Sequence, residues 1–307
     1  MSTQTSASNV VALRDDNLEK LKSKSLMQKA LGRIRRDKLT LSALAVLFIL
    51  GTMAVLAPFI SSTILGVDYL ELNIENNYAP VGTPGHILGT DDLGRDHLAR
   101  LLYGGRVSLG IGFSAAILSL TIGIVIGVFT GYYGGIVDDI VIWFITTLNS
   151  IPQLFLLLIV AALLSPNATS LVLVLSLLGW TGATRIVRGE TFSLKQQEFV
   201  IAARAIGASD VRIMFVHIVP NIISLLVISL ALSIGGLILA ESALSFLGFG
   251  VKPPTPTWGN MLSGGLDLVR RAPHLVFAPG LLIFVTVLCL YIIGDGLRDA
   301  FDPKATN

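Results

Sequence analysis

Charge is what this chain of 307 residues has least of. Asp, Glu, Lys and Arg make up 14% of it, against 53% hydrophobic residues. So little charge cannot cover a large water-exposed surface, and the balance points to a protein whose solvent is the bilayer. The net charge of +2 is too small to recruit nucleic acid. Cysteine occurs once, as Cys289 inside an apolar run. An internal disulfide and a cysteine-built metal cluster are therefore excluded, and Cys289 reads as a small buried hydrophobe. The four histidines, His86, His97, His217 and His274, are dispersed, and none stands at metal-ligand spacing from another. No G-x-x-x-x-G-K-[ST] phosphate loop, no H-E-x-x-H and no G-x-S-x-G elbow occurs. The chain shows no catalytic set, which argues against an enzyme.

Long apolar runs are what the chain has in quantity. Six fall at about 39–60, 107–130, 140–164, 168–184, 221–240 and 276–294, each near the ~20 residues that cross the hydrocarbon core. The predicted fold is all-α and integral to the membrane, with six transmembrane helices. Asn149 and Pro152 predict a kink in the third. No Asp, Glu, Lys or Arg lies near the centre of any of these runs, whereas an ion-coupled pump usually needs one. Uphill transport by this chain would then draw its energy from a partner.

Lysine and arginine set the orientation. With the N-terminus inside, the inner segments 1–38, 131–139, 185–220 and 295–307 hold 16 of the 22, and the outer segments hold six. Both termini are therefore expected in the cytoplasm. The polar tail 1–38 places Met27, Ala30, Leu31 and Ile34 on one helical face among Lys29, Arg33, Arg35, Arg36 and Lys38, a pattern that suits a helix on an anionic membrane surface. The lead is too polar and the next run too long for a signal peptide.

Between the spans, Gly123, Gly127 and Gly131 recur every fourth residue. Small residues at that spacing allow close helix approach in lipid, either within the chain or against a second subunit. Tyr132 and Tyr133 suit the interfacial belt. The outer loop 61–106 clusters Asp91, Asp92 and Asp96 near His86 and His97. Their spacing fits no EF-hand, and turn capping with Arg95 as ion partner accounts for them. Glu241 follows the fifth span, open to a functional or a hydrogen-bonded structural role. Pro253, Pro254, Pro256 and Trp258 suggest a rigid re-entry along the interface.

The stretch 198–221, EFVIAARAIGASDVRIMFVHIVPN, is the longest amphipathic island. Phe199, Ala202, Ala203 and Ile206 share one helical face, and Val211, Met214, Phe215 and Ile218 repeat the spacing. Gly207 supplies a left-handed stop between the two helices. Ser209 or Asp210 is placed to cap the second, and Pro220 marks entry to the next apolar run. The result is a cytoplasmic knob of two short helices that can dock into a partner.

This knob resembles the "EAA" coupling motif in the membrane subunits of ATP-binding-cassette importers. Ala202, Ala203, Gly207 and Pro220 match it, whereas Ile201 stands at the usual glutamate and Val219 at the usual leucine. LGTDDLGRD at 88–96, GYYGG at 131–135, RIVRG at 185–189, SFLGFG at 245–250, PPTPTWG at 253–259 and GDGLRDAFDP at 294–303 resemble the C-type permease of the dipeptide/oligopeptide importer group. RIVRGETFSLK at 185–195 leans toward the oligopeptide branch. The likeness covers nearly everything after about residue 35.

That resemblance implies a type I importer transmembrane domain in a bacterial or archaeal plasma membrane. It divides the chain into a cytoplasmic tail at 1–38, a first transmembrane helix at 39–60, an extracytoplasmic loop at 61–106, a core at 107–296 carrying coupling helices at 198–220, and a tail at 297–307. It also implies a homologous second permease, two ATPase subunits that bind ATP and Mg, and an extracytoplasmic binding protein that delivers peptide. This chain itself would bind no cofactor and no metal. Ala202, Ala203, Gly207, Ser209, Asp210, Met214, Phe215 and Pro220 would make the coupling site, Met214 and Phe215 supplying apolar contact to the ATPase. Nickel importers share the permease pattern and remain an alternative, as does, from another class, a self-sufficient channel or secondary transporter.

Overall fold

The computed structural model describes residues 26–164 and 167–302. The first part of the expected N-terminal tail, 1–25, the last residues of the sequence, 303–307, and positions 165 and 166 of the short outer segment 165–167 lie outside the described residues. Among the described residues the regular structure is helical, apart from two isolated bridges in the outer loop, Thr83 with His86 and Thr90 with Asp96.

Among the described residues, ten helices of seven residues or more organise the fold. α1 is Leu26–Ile34, α2 Lys38–Val55, α3 His97–Tyr133, α4 Gly135–Asn149 and α5 Gln153–Leu163. α6 is Ala168–Leu194 and α7 Glu198–Ala205. α8 is Asp210–Phe246, α9 Gly265–Arg271 and α10 His274–Phe301. Five of them are long and apolar enough to cross a membrane, and α4 with α5, bent by 87° at their junction, make a sixth candidate. Pro152 explains the break, because it has no N–H to give and disfavours helix in the residue before it.

α3 starts ten residues before the apolar run that announces it. Asp96 caps it by accepting the Ala99 N–H at 2.7 Å, so the polar turn His97–Arg106 is helical and the loop 61–106 is shorter than expected. At 37 residues the helix is about 55 Å long, well beyond the ~30 Å hydrocarbon core. Both its ends therefore stand in water or headgroups.

The largest helix pair among the described residues is α3 against α6. Glycine makes it possible. A Cβ on Gly123 would lie 2.5 Å from the Ala183 Cβ, one on Gly127 2.8 Å from the Thr184 carbonyl oxygen, and one on Gly131 2.7 Å from the Arg188 carbonyl oxygen. The glycine column thus faces a helix of its own chain. In lipid, where apolar surface is no reason for helices to meet, such close approach supplies the packing.

At the outer end, Trp258 is 2% exposed rather than interfacial. Its indole N–H donates to the Leu101 carbonyl at 3.0 Å and its ring lies where Gly104 and Gly105 leave room on α3. The proline-rich loop is drawn inward because the indole fills that space and finds an acceptor there. Beside it Glu241 lies inside α8, fully buried. It accepts hydroxyls from Ser108 at 3.1 Å, Ser242 at 3.4 Å and Ser245 at 2.7 Å. At the inner end α1 lies on α10, with Ala30 buried and Arg33 donating to the carbonyls of Ala300 and Asp302. The first and last of the described helices therefore meet on one side.

Replacing Gly127 with leucine should destabilise the solubilised protein by at least ~1–3 kcal/mol through overpacking of the seam. Gly110→Ala, where nothing lies within 4 Å of the new methyl group, should be neutral or stabilising. Thermal unfolding in detergent measures both, and an unshifted midpoint for Gly127→Leu would contradict the seam.

Candidate functional site

The knob is built from α7, a glycine turn and the start of α8. Gly207 sits at φ +85° with open space around it, so its requirement is conformational rather than steric. The Ala208 N–H reaches back to the Ala203 carbonyl at 3.0 Å, the bond that closes a glycine-ended helix. Ser209 occupies the N-cap of α8 without a side-chain cap bond. Asp210 does not cap either, because its carboxylate accepts the Tyr132 hydroxyl at 2.6 Å. α8 then widens into a π turn at Ile213–Ile218 and tightens into a 3₁₀ turn at Val219–Ile222. Pro220, with no N–H and a ring that crowds the carbonyl four residues earlier, accounts for that irregularity.

The knob has two faces, and their division differs from the one expected. Val200 and Ala203 of α7 are buried with Ile213, Met214 and Ile218 of α8 against Val128, Tyr132 and Val187. Met214 is 0% exposed, so it anchors the knob to its own membrane domain and presents nothing to a partner. The four-residue stripe along α7 and its C-cap splits: Ala203 is buried, whereas Phe199, Ala202 and Ile206 are exposed. Ile206 is 86% exposed. Ile201, Val211, Phe215 and Val216 are exposed apolar side chains of the knob as well. Pro220 is exposed at its edge.

Polar bonds fasten the knob's floor. Tyr132 is buried and not part of an interfacial belt, unlike the exposed Tyr133. Its hydroxyl gives its proton to Asp210 and accepts from Arg204 Nη2 at 3.2 Å. Lys195 Nζ donates to the carbonyls of Gly131 and Tyr132 at 2.9 and 3.2 Å, which satisfies the last turn of α3. Arg188 and Asp138 form a two-pronged ion pair between α6 and α4. These partners are far apart in sequence, so no local spacing announces them. The signal that existed was a set of charges at helix ends, each needing a partner.

No group of three or more metal-binding side chains comes together among the described residues. Asp91, Asp92 and Asp96 are held in local bonds: Asp91 by Arg95 at 2.8 Å, Asp92 by Arg95 at 3.4 Å, Asp96 by His86 at 2.9 Å.

Residues 123–307 match the family "Binding-protein-dependent transport system inner membrane component". The chain belongs to this family of inner-membrane permeases. Residues 25–80 match the "N-terminal TM domain of oligopeptide transport permease C", which marks the C-type. The oligopeptide transport system permease protein OppC of Bacillus subtilis is 37% identical over 283 residues, 92% of this chain and 91% of that protein. OppC of Haemophilus influenzae is 38% identical, covering 92% and 90%. The dipeptide transport system permease protein DppC of Bacillus subtilis is 35% identical, covering 95% and 90%. A chain of the MetNI methionine ABC transporter in an inward-facing conformation superposes with TM-score 0.52 at 18% identity, over 66% of this chain and 96% of that one. That likeness is one of fold. The permease is thus a multi-pass inner-membrane subunit with the helical architecture of an ABC importer domain, and its family works with an ATPase and a binding protein.

Met214→Ala should cost ~2–5 kcal/mol of stability, the range for a fully buried side chain. Val216→Ala, on the outward face, should cost less than ~1 kcal/mol. Denaturation of the solubilised permease decides, and equal costs would remove the two-faced description.

Proposed function

We propose that this chain is the C-type permease of an ATP-driven importer of short peptides, and that residues 198–220 are its coupling surface. The observation that carries the reading is the outward face of the knob. Phe199, Ile201, Ile206 and Val211 are exposed and apolar on the side where the basic residues put the cytoplasm. Apolar side chains held out this way on a braced support mark a protein partner. Relatives over 90% of their length are named for oligopeptide and dipeptide transport, which supports peptide as the cargo. The partner at the knob is then one of two ATPase subunits, which bind ATP and Mg. A homologous permease supplies the other half of the path, and a binding protein delivers peptide outside.

The break between α4 and α5 supports the paired arrangement. Asn149 and Gln153 are exposed beside Thr181 and Gly182 of α6 along a cavity of about 430 Å³. Irregular backbone at membrane depth is tolerated only under protein cover or along water. A second permease against this face, with a wet path between the two, meets both conditions. The ATPases drive the path open by moving the two knobs relative to one another. Ala202 and Gly207 contribute by being small, so that a groove wall can close on the turn. Phe215 adds apolar contact beside them.

Gly207→Val forces a branched residue into a left-handed turn, and Ile206→Asp puts a charge on the face to be buried. In the reconstituted transporter each should lower peptide-stimulated ATP hydrolysis at least about tenfold, the effect of losing ~1.4 kcal/mol, while the subunits still co-purify. Full stimulation in both variants would remove the knob from coupling.

A further inference from the structure

An apolar groove of about 220 Å³ opens where the outer ends of three membrane helices meet. α2 lines it with Leu50, Met53 and Ala54, and α10 with Ala278, Leu281 and Leu282. The first turns of α3, from Leu98 to Gly105, form its back together with the Trp258 ring. The groove follows the joint between the two matched families: α2 falls in the 25–80 match, whereas Trp258 and α10 fall in the 123–307 match.

The medium it opens to follows from its rim. Leu281 is 61% exposed and stands between Phe277 and Phe284, both exposed, at i, i+4, i+7 on one face of α10. Met53 holds the same place on α2, between the exposed Ile49 and Leu56. Each rim residue thus belongs to an apolar stripe that runs along a membrane helix and faces outward. α2 packs on α10 and α3, away from α4 and α5, where the second permease is placed above. The stripes are therefore turned to lipid.

Water has no place in such a groove. Its side chains are apolar, and the one polar group among them, the Trp258 indole N–H, already donates to the Leu101 carbonyl. Apolar cavities of about 150 Å³ stay dry and take up small hydrocarbons. Left empty, the walls lose contacts on one side. An acyl chain that enters from lipid gains nothing from the hydrophobic effect, because it leaves one apolar medium for another. It gains close contact on several sides at once, which a fluid hydrocarbon does not supply.

We propose that the groove is a lipid site that seats one acyl chain of an outer-leaflet phospholipid between α2 and the core helices. Met53 and Leu281 form the entry, and the chain lies against Leu101 and Trp258 behind them. The seated chain fills the joint that α2 leaves open and so helps fasten the N-terminal helix to the core. The site does not depend on which cargo the transporter carries.

The test uses the assembled complex in nanodiscs containing a phosphatidylcholine with a diazirine on one acyl chain. Illumination attaches the chain to residues it touches, and peptide mass spectrometry locates the label. Label is expected on Leu101, Leu102 or Trp258, which lipid around the protein does not reach, as well as on Phe48, exposed on α2. Ala278→Phe puts a ring into the groove and should lower the back-wall label at least about fivefold, the effect of ~1 kcal/mol, with the Phe48 label unchanged. Met53→Trp, at the exposed rim, should act in the same direction and serves if the ring at 278 prevents assembly. Label on Phe48 with none on the back wall means surrounding lipid only and overturns the proposal before any variant is made. Absence of label from both Leu281 and the back wall means that another protein chain covers the groove, and overturns it too. A back-wall label that survives the substitutions does the same.

Discussion

The seam between α3 and α6 is the contact on which the rest depends. Within a bilayer, apolar helices gain little by leaving lipid for one another, so packing must come from closeness. Gly123, Gly127 and Gly131 allow the backbone of α3 to lie against Thr184, Val187 and the Arg188 carbonyl of α6. The seam continues outward where Gly179 makes room for the Ser119 side chain, which donates to the Ser176 carbonyl. A rod fixed along such a length carries two chemically different ends. Its first turns, from Leu98 to Gly105, form the back of the outer groove. Its last turn, with Tyr132, supports the knob. Both are positioned by one helix, and neither depends on a flexible loop for its place.

The knob divides its labour by polarity. Inside the molecule it is held by apolar burial and by a ring of polar bonds at the helix ends, through Tyr132, Asp210, Arg204 and Lys195. Outward, Phe199, Ile201 and Ile206 are exposed apolar side chains, with Glu198 exposed beside them on α7. In the reading proposed here, the acid usual at position 201 is not required for docking. Its energy would come from apolar burial at a rigid site, while Asp210, Arg204 and Lys195 are already committed to holding that site in shape. This allocation makes physical sense, because a charge spent on internal bracing pays its desolvation once and is not asked to change partners during a cycle.

Periodicity made the helices legible, and glycine spacing made the seam legible as a surface. The partner of that surface was not legible, since three glycines state that something approaches without saying what. The helix boundaries were harder for a related reason. Hydropathy marks the hydrocarbon core, whereas α3 and α8 continue past it under the control of a cap at Asp96 and a turn at Gly207. Met214 and Phe215 are adjacent and equally apolar in sequence, yet one is sealed in and the other faces out. An amphipathic stripe gives the direction of a face only relative to its own helix. Which side of the stripe meets the membrane domain depends on how α7 and α8 are folded against Val128 and Val187. Tyr132 and Trp258 read as interfacial for the same cause: their chemistry suits a boundary, but each is buried by a distant segment that also supplies its acceptor, Asp210 for Tyr132 and the Leu101 carbonyl for Trp258.

Two buried ionisable side chains near the outer end show what satisfaction does for a buried polar group. Glu241 lies wholly inside the protein, and three serine hydroxyls turn toward its two oxygens. Ser108, one of the three, also accepts the Trp258 backbone N–H at 3.1 Å, so the network closes on itself and locks the proline-rich loop to α3 and α8. Nothing in it is left over for a ligand. Arg100 is buried nearly as well, but its Nε faces Asp91 while its Nη1 is sealed without a hydrogen-bond partner among the described residues. A closed polar network rigidifies a core, and an open one stays costly. The count of partners, rather than any local pattern in the sequence, separates the two.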